Sequence, residues 1–213
     1  SWLGFFGYNL LHSEVYNVYK KILKRKGIGK PIYASIKITN GIAYLKKFKN
    51  NWRFKSKSTF EKITGNIGIH YINMFAHLFG EINEINFKEK GVSNNNICDT
   101  SNISVLFKNK TYLQIYLSYA APFSEEIVIY FSNGIVKSDN KKTSLYYPRN
   151  TFDKFGMFTH AKEKKLLKHP SGWGHKSLNN SINFFVNSIK NKKKSNFNNF
   201  NKAIISSLSL LGN

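Results

Sequence analysis

Residues 111–119 read Thr111-Tyr112-Leu113-Gln114-Ile115-Tyr116-Leu117-Ser118-Tyr119. Leu113, Ile115 and Leu117 alternate with Tyr112, Gln114 and Tyr116, so an extended chain here turns aliphatic side chains to one face and amphipathic ones to the other. The same period of two continues on both sides, with candidate strands at 81–90, 101–108, 125–131, 135–138 and 143–147. Asn109-Lys110 and Asn133-Gly134 leave too few residues between neighbouring strands for a crossover, which makes these connections antiparallel hairpins.

Flanking this block the spacing becomes helical. Val15, Tyr16, Tyr19, Ile22 and Leu23 fall on one stripe between Ser13, a capping residue, and Gly27, a stop. Gly29-Lys30-Pro31 then turns into a strand over 32–40, and residues 67–79 form an apolar helix ended by Gly80. Helical spacing returns over 177–190 and 198–211, around a lysine cluster at 192–194. Helices outside a run of hairpins predict an α+β two-layer domain, a large predominantly antiparallel sheet with helices on one face. The other face then carries Tyr, Ile and Leu side chains that need a cover. A homo-oligomer formed through the sheet face is the economical one, and loops or a further part of the protein are the other source.

With 213 residues, 41% of them hydrophobic and 15% aromatic, the chain is long enough for a single domain with a full core. The net charge of +22 raises the question of nucleic acid. Only Arg25, Arg53 and Arg149 are arginines, however, and the thirty lysines travel with asparagine and isoleucine, so solvated lysine faces are expected and a nucleic-acid partner is not. No apolar run reaches the roughly 20 residues that span a bilayer, so no membrane partner is expected. Cys98 is alone and can form no intrachain disulfide, which points to a reducing, cytoplasmic setting. His12, His77, His160, His169 and His175 show no zinc-type spacing with Cys98, and no metal is expected. Ser1 opens an apolar stretch with no initiator Met, as in the middle of a larger protein.

The segment Gly65-Asn66-Ile67-Gly68-Ile69-His70-Tyr71-Ile72-Asn73, followed by an apolar helix and Gly80-Glu81, carries the chemistry. It resembles the signature G-D-x-G-x-H-x-x-D of the Gfo/Idh/MocA family, named for glucose-fructose oxidoreductase and inositol dehydrogenase. Gly7-Tyr8-Asn9 before a helix, Gly27-Ile28-Gly29-Lys30-Pro31 before a strand, Trp52-Arg53, Asp99-Thr100 and the Ser132-Asn133-Gly134 turn follow the order that the family shows in its C-terminal domain. The resemblance runs from about Gly4 to the last helix. It implies that residues 1–213 are a substrate-binding and dimerisation domain, with the N-terminal Rossmann domain outside this sequence. No G-x-G-x-x-G occurs here, and the family's Glu-Lys-Pro motif has no counterpart.

Under this resemblance the protein is an oxidoreductase that uses NAD or NADP, bound mainly by the other domain, on a carbohydrate, polyol or nucleotide-sugar. His70 is the expected catalytic residue, because an imidazole titrating near neutrality can take the hydroxyl proton as the alcohol is oxidised. Its position at a helix start would aim it at the cleft and resist its protonation, and Gly68 would leave room for substrate. The plainer alternative for His70 is a carbonyl-bonded helix-start residue.

Asn66 stands where the family usually has Asp. It can bond a sugar hydroxyl but cannot hold a charge, so the chain is either an enzyme with altered proton handling or a non-catalytic relative serving dimerisation or ligand binding. Asn73 also replaces an acid, in a structural place. Asn9, Arg53, Trp173 and His175 are the candidate substrate contacts: Asn9 as a cleft residue or a turn, Arg53 as a clamp or a partner of Trp52, Trp173 and His175 as stacking and hydroxyl-binding groups or a helix-entry loop.

Overall fold

The computed structural model describes residues 7–46, 62–93, 98–149, 152–169, 174, 176–191, 202 and 205. Arg53, Trp173 and His175 lie outside them, and so does the helix expected over 198–211 apart from Lys202 and Ile205.

A short 3-10 turn at Asn9–His12 leads into helix α1, Glu14–Leu23. Ser13 caps it, its hydroxyl accepting from the Tyr16 N–H at 3.2 Å and donating to the Leu10 carbonyl at 2.7 Å. Strand β1, Pro31–Thr39, follows; then a π-helical turn at Thr64–Gly68 runs into helix α2, Ile69–Phe79. The remaining strands are β2 (Ile82–Lys90), β3 (Thr100–Phe107), β4 (Tyr112–Ser118), β5 (Ser124–Phe131), β6 (Gly134–Asp139), β7 (Lys142–Tyr146) and β8 (Glu163–Lys168), before helix α3 at Ser177–Lys190. Every strand read from period two is present within a residue or two of its expected ends.

The eight strands form one sheet in the order β2-β3-β4-β1-β5-β6-β7-β8. All pairings are antiparallel except β1 with β4, which lie parallel with Thr39 beside Ser118. Strand β8 was not foreseen: Glu163-Lys164-Lys165-Leu166-Leu167-Lys168 has no alternation to read. It is an edge strand, and lysines suit an edge because they oppose pairing with another chain.

One sheet face takes the helices. Ala34, Ile36, Ile103, Val105, Leu113, Ile115, Leu117, Ile127 and Val136 are buried there against Tyr19 of α1 and Ile72, Met74 and Phe75 of α2. Fully burying one such side chain contributes about 1.5–3 kcal/mol. The architecture is the expected α+β two-layer domain.

On the opposite face the register builds a ladder. Leu106 pairs with Tyr112, Tyr112 with Tyr33, Tyr33 with Tyr130, Tyr130 with Ile135, and Ile135 with Tyr146, one residue from each of six neighbouring strands. The Tyr33 and Tyr130 rings lie 5.8 Å apart. Tyr112 and Tyr130 are exposed. Among the described residues no helix is long and apolar enough to cross a membrane.

Candidate active site

The parallel pair β1 and β4 ends at Thr39 and Ser118, and the residues just beyond, Asn40 and Tyr119, enter a cleft of about 430 Å³. Asn9 and Leu10 from the 3-10 turn, Ile42, and Asn66, Ile67, His70 and Tyr71 from the π turn and α2 complete its lining. Three of the expected residues, Asn9, Asn66 and His70, are therefore brought together. Arg53, Trp173 and His175 lie outside the described residues.

Local bonds hold this arrangement. The π turn is tied to the sheet by Thr64, whose N–H donates to Glu89 Oε1 at 3.3 Å and whose hydroxyl lies 2.7 Å from the Ser101 hydroxyl. Tyr119 is fixed through its backbone: its N–H donates to the Asp99 carbonyl at 2.7 Å, and its own carbonyl accepts from Ala43 at 2.9 Å. The Asp99 carboxylate is fully buried and accepts from the N–H groups of Val92 and Ser93. Asn9 Nδ2 donates to Ser177 Oγ at 2.9 Å, so α3 begins at the rim of the cleft. Asn66 Nδ2 donates to the Tyr119 hydroxyl at 2.9 Å.

His70 is half-buried, with the Tyr8 ring edge-on at 5.6 Å between centroids. Its Nδ1 is buried and has no hydrogen-bond partner among the described residues, which argues against the carbonyl-bonded alternative. Burial pushes the His70 pKa below its ordinary value, so the ring stays neutral and able to accept a proton. Tyr71 is held well above the usual phenol range by burial and then by the nearby Glu125 and Tyr19, and remains a hydrogen-bond donor.

Two expectations need correction. His70 does not start the helix: the π turn from Thr64 already supplies a turn of helical backbone ahead of it, so the free N–H groups that would resist its protonation lie further upstream, and burial takes their part. Gly68 does not clear space for substrate either. A Cβ there would sit 2.8 Å from Ile103 Cδ1 and 3.3 Å from Leu117 Cδ1, so the glycine lets the turn lie against the sheet. Asn40, Tyr71 and Tyr119 were missed by sequence reasoning; Asn40 and Tyr119 each stand one residue past a strand end, and Tyr71 follows His70 in α2.

Among the described residues that line the cleft none is lysine, arginine, aspartate or glutamate. The set offers hydrogen-bonding amides, phenols and an imidazole without a fixed charge, and among the described residues no His, Cys, Asp or Glu group could hold a metal ion.

Residues 16–137 match the model of the GFO/IDH/MocA C-terminal domain. The chain belongs to this family. No curated protein matches it in sequence. Among solved structures, it is similar to levoglucosan dehydrogenase in complex with NADH and levoglucosan, at 13% identity and a TM-score of 0.74, over 99% of this chain and 63% of that one. A putative NADPH-dependent oxidoreductase from Desulfitobacterium hafniense gives 13% identity and a TM-score of 0.74, over 98% and 62%. An oxidoreductase from Agrobacterium radiobacter in complex with NAD+, L-tartaric acid and magnesium gives 14% and 0.67, over 94% and 59%. At these identities the likeness is one of fold. The chain thus spans about three fifths of the length of these structures.

Proposed function

We propose that this domain supplies the substrate wall and the proton acceptor of a nicotinamide-dependent oxidoreductase acting on a sugar or polyol, with the dinucleotide held by a separate nucleotide-binding domain. The observation that carries the reading is His70, its pKa lowered by burial, in a cleft whose other described lining residues are the polar Asn9, Asn40, Asn66, Tyr71 and Tyr119 and the apolar Leu10, Ile42 and Ile67. Amides and phenols bond neutral hydroxyls without demanding a charge in return. A nicotinamide coenzyme held by that domain would supply the hydride acceptor. This chain's residues orient the carbinol, and His70 takes the hydroxyl proton. Asn66 can bond that hydroxyl and cannot remove its proton, which leaves the imidazole as the group of the described lining whose residue type titrates near neutrality.

The second part of the proposal is a homo-oligomer paired through the open sheet face, supported by the ladder from Leu106 to Tyr146.

The test is turnover of free polyols, sugars and nucleotide-sugars by the full-length protein with NAD and with NADP. Activity on a hydroxylated substrate that His70→Ala lowers by roughly 10²-fold is the expected result. Turnover indifferent to that change would remove His70 from the mechanism, and silence across the panel would favour a non-catalytic ligand-binding relative.

A further inference from the structure

Between β7 and β8 the chain forms a small hairpin that has an ordered turn and no apolar cover. Phe152 and Phe158 form a β-bridge with their rings 5.1 Å apart. Asp153 builds the turn: its N–H donates to the Met157 carbonyl at 2.8 Å, its carbonyl accepts from Gly156, and its carboxylate accepts from the N–H groups of Phe155 and Met157. Gly156 supplies the φ of +78° that the turn requires. Yet Phe155 is 78% exposed, Phe158 83%, Met157 66% and Phe152 58%. Four large apolar side chains on a turn with its own hydrogen bonds are placed to be covered by something else.

The register says where the hairpin stands. It leaves β7 after Tyr146, the last rung of the tyrosine ladder, and returns at Glu163, which pairs with Tyr146. The ladder lies at the end of the sheet where β1 and β4 begin, because Tyr33 and Tyr112 are near their starts. The cleft lies at the other end, beyond Thr39 and Ser118. A coenzyme domain roofing the cleft therefore meets the wrong end of the sheet to cover this hairpin.

Charge selects among the remaining occupants. Across the five strands from β3 to β6 in sheet order, the ladder face carries Lys37, Lys137, Glu126 and Asp139 as its charged side chains, two of each sign, with Lys37 and Glu126 3.6 Å apart. On a chain with net charge +22 this is a locally neutral, tyrosine-rich surface. Such a surface lets two copies approach without the repulsion that the lysines impose elsewhere.

We propose that the hairpin is a dimer arm: Phe155 and Phe158 of one copy pack on the ladder face of a second copy, at the ladder end of the sheet. This rests on the sheet-face pairing proposed above and adds the element that locks it.

Sedimentation velocity of the intact protein over a concentration series, at physiological salt, separates the two ideas. We expect a dimer for the natural sequence, a monomer for Tyr130→Lys on the ladder, and a dissociation constant raised at least 10-fold for Phe155→Ser with Phe158→Ser. Both serine positions are exposed, and an unchanged melting temperature will show that the fold is intact. If Tyr130→Lys yields monomers while the serine pair leaves the dissociation constant unchanged, the arm is wrong and the sheet pairing stands. If the natural protein is a monomer, or neither change weakens a dimer, both fail. A serine pair that dimerises normally but no longer co-sediments with anionic phospholipid vesicles would also overturn the arm, assigning the hairpin to a membrane surface.

Discussion

Asn66 and Tyr119 meet side chain to side chain, the amide nitrogen donating to the phenol oxygen at 2.9 Å, although one sits on a π turn before α2 and the other just past the end of β4. The bond fixes which way the amide faces. With one Nδ2 hydrogen directed at Tyr119, the carbonyl Oδ1 and the second N–H are what Asn66 offers to a ligand.

Tyr119→Phe should release that orientation. In the full-length enzyme we expect kcat/KM to fall by about 10-fold, the worth of one hydrogen bond of roughly 1–1.5 kcal/mol, carried mainly by KM because the proton acceptor is untouched. A steady-state comparison that finds KM unchanged would remove Asn66 from substrate orientation.

The pH dependence of the same enzyme tests His70. Its pKa is lowered by burial, so the neutral, proton-accepting form persists below pH 6.5 and is lost only at more acid pH. The acid limb of the kcat/KM profile should therefore lie below 6.5. Asn66→Asp places a carboxylate beside the cleft and should move that limb to higher pH, since a nearby negative charge favours imidazolium. A limb that stays fixed in this variant would mean that another group titrates.

How far the sequence could foretell this site follows from the kind of interaction involved. The strands from β2 to β7 were legible because period two is local, and the buried stripe of α1 because Val15, Tyr16, Tyr19 and Ile22 sit at helical spacing. The β1–β4 contact was not, since parallel partners far apart in sequence leave no turn to read, and with it went Asn40 and Tyr119. The misplaced helix start at His70 has a similar origin. A π turn that begins at Thr64 is held by Glu89 and Ser101 of the sheet, contacts that no local pattern announces.

Asn73, one turn beyond His70, is fully buried, and among the described residues neither Nδ2 nor Oδ1 finds a partner. The acid usual at this place in the family would here be an unpaired buried carboxylate. Asn73→Asp should cost about 3 kcal/mol or more at pH 7 and less at pH 5, where the acid can protonate. Asn73→Leu should be neutral or stabilising, because it removes an unsatisfied amide. Denaturant unfolding of the intact protein measures both; an Asn73→Asp protein as stable as the natural one at pH 7 would show that this pocket already accommodates charge.

A second buried polar chain ties α1 through the sheet to the residue after β8. The Tyr19 hydroxyl donates to Ser138 at 2.6 Å, Ser138 and Thr143 lie 2.8 Å apart, and Thr143 is 2.8 Å from His169 Nε2. With Tyr19 donating inward, each hydroxyl can pass its proton along only if Nε2 accepts, which requires a neutral ring. Burial lowers the His169 pKa, while Asp139 and Glu14 oppose the shift. The unfolded chain thus binds a proton near pH 6.5 that the folded chain refuses, so stability is full above 6.5 and falls as the pH drops below it. His169→Gln keeps a side-chain acceptor but cannot titrate. Its loss of melting temperature between pH 7 and pH 5 should be smaller than that of the natural protein, with the remainder due to His12, His70 and His77, the last lowered to about 4. Equal acid losses in the two proteins would show that His169 keeps the same proton affinity folded and unfolded, and that the hydroxyl chain does not depend on its neutral form.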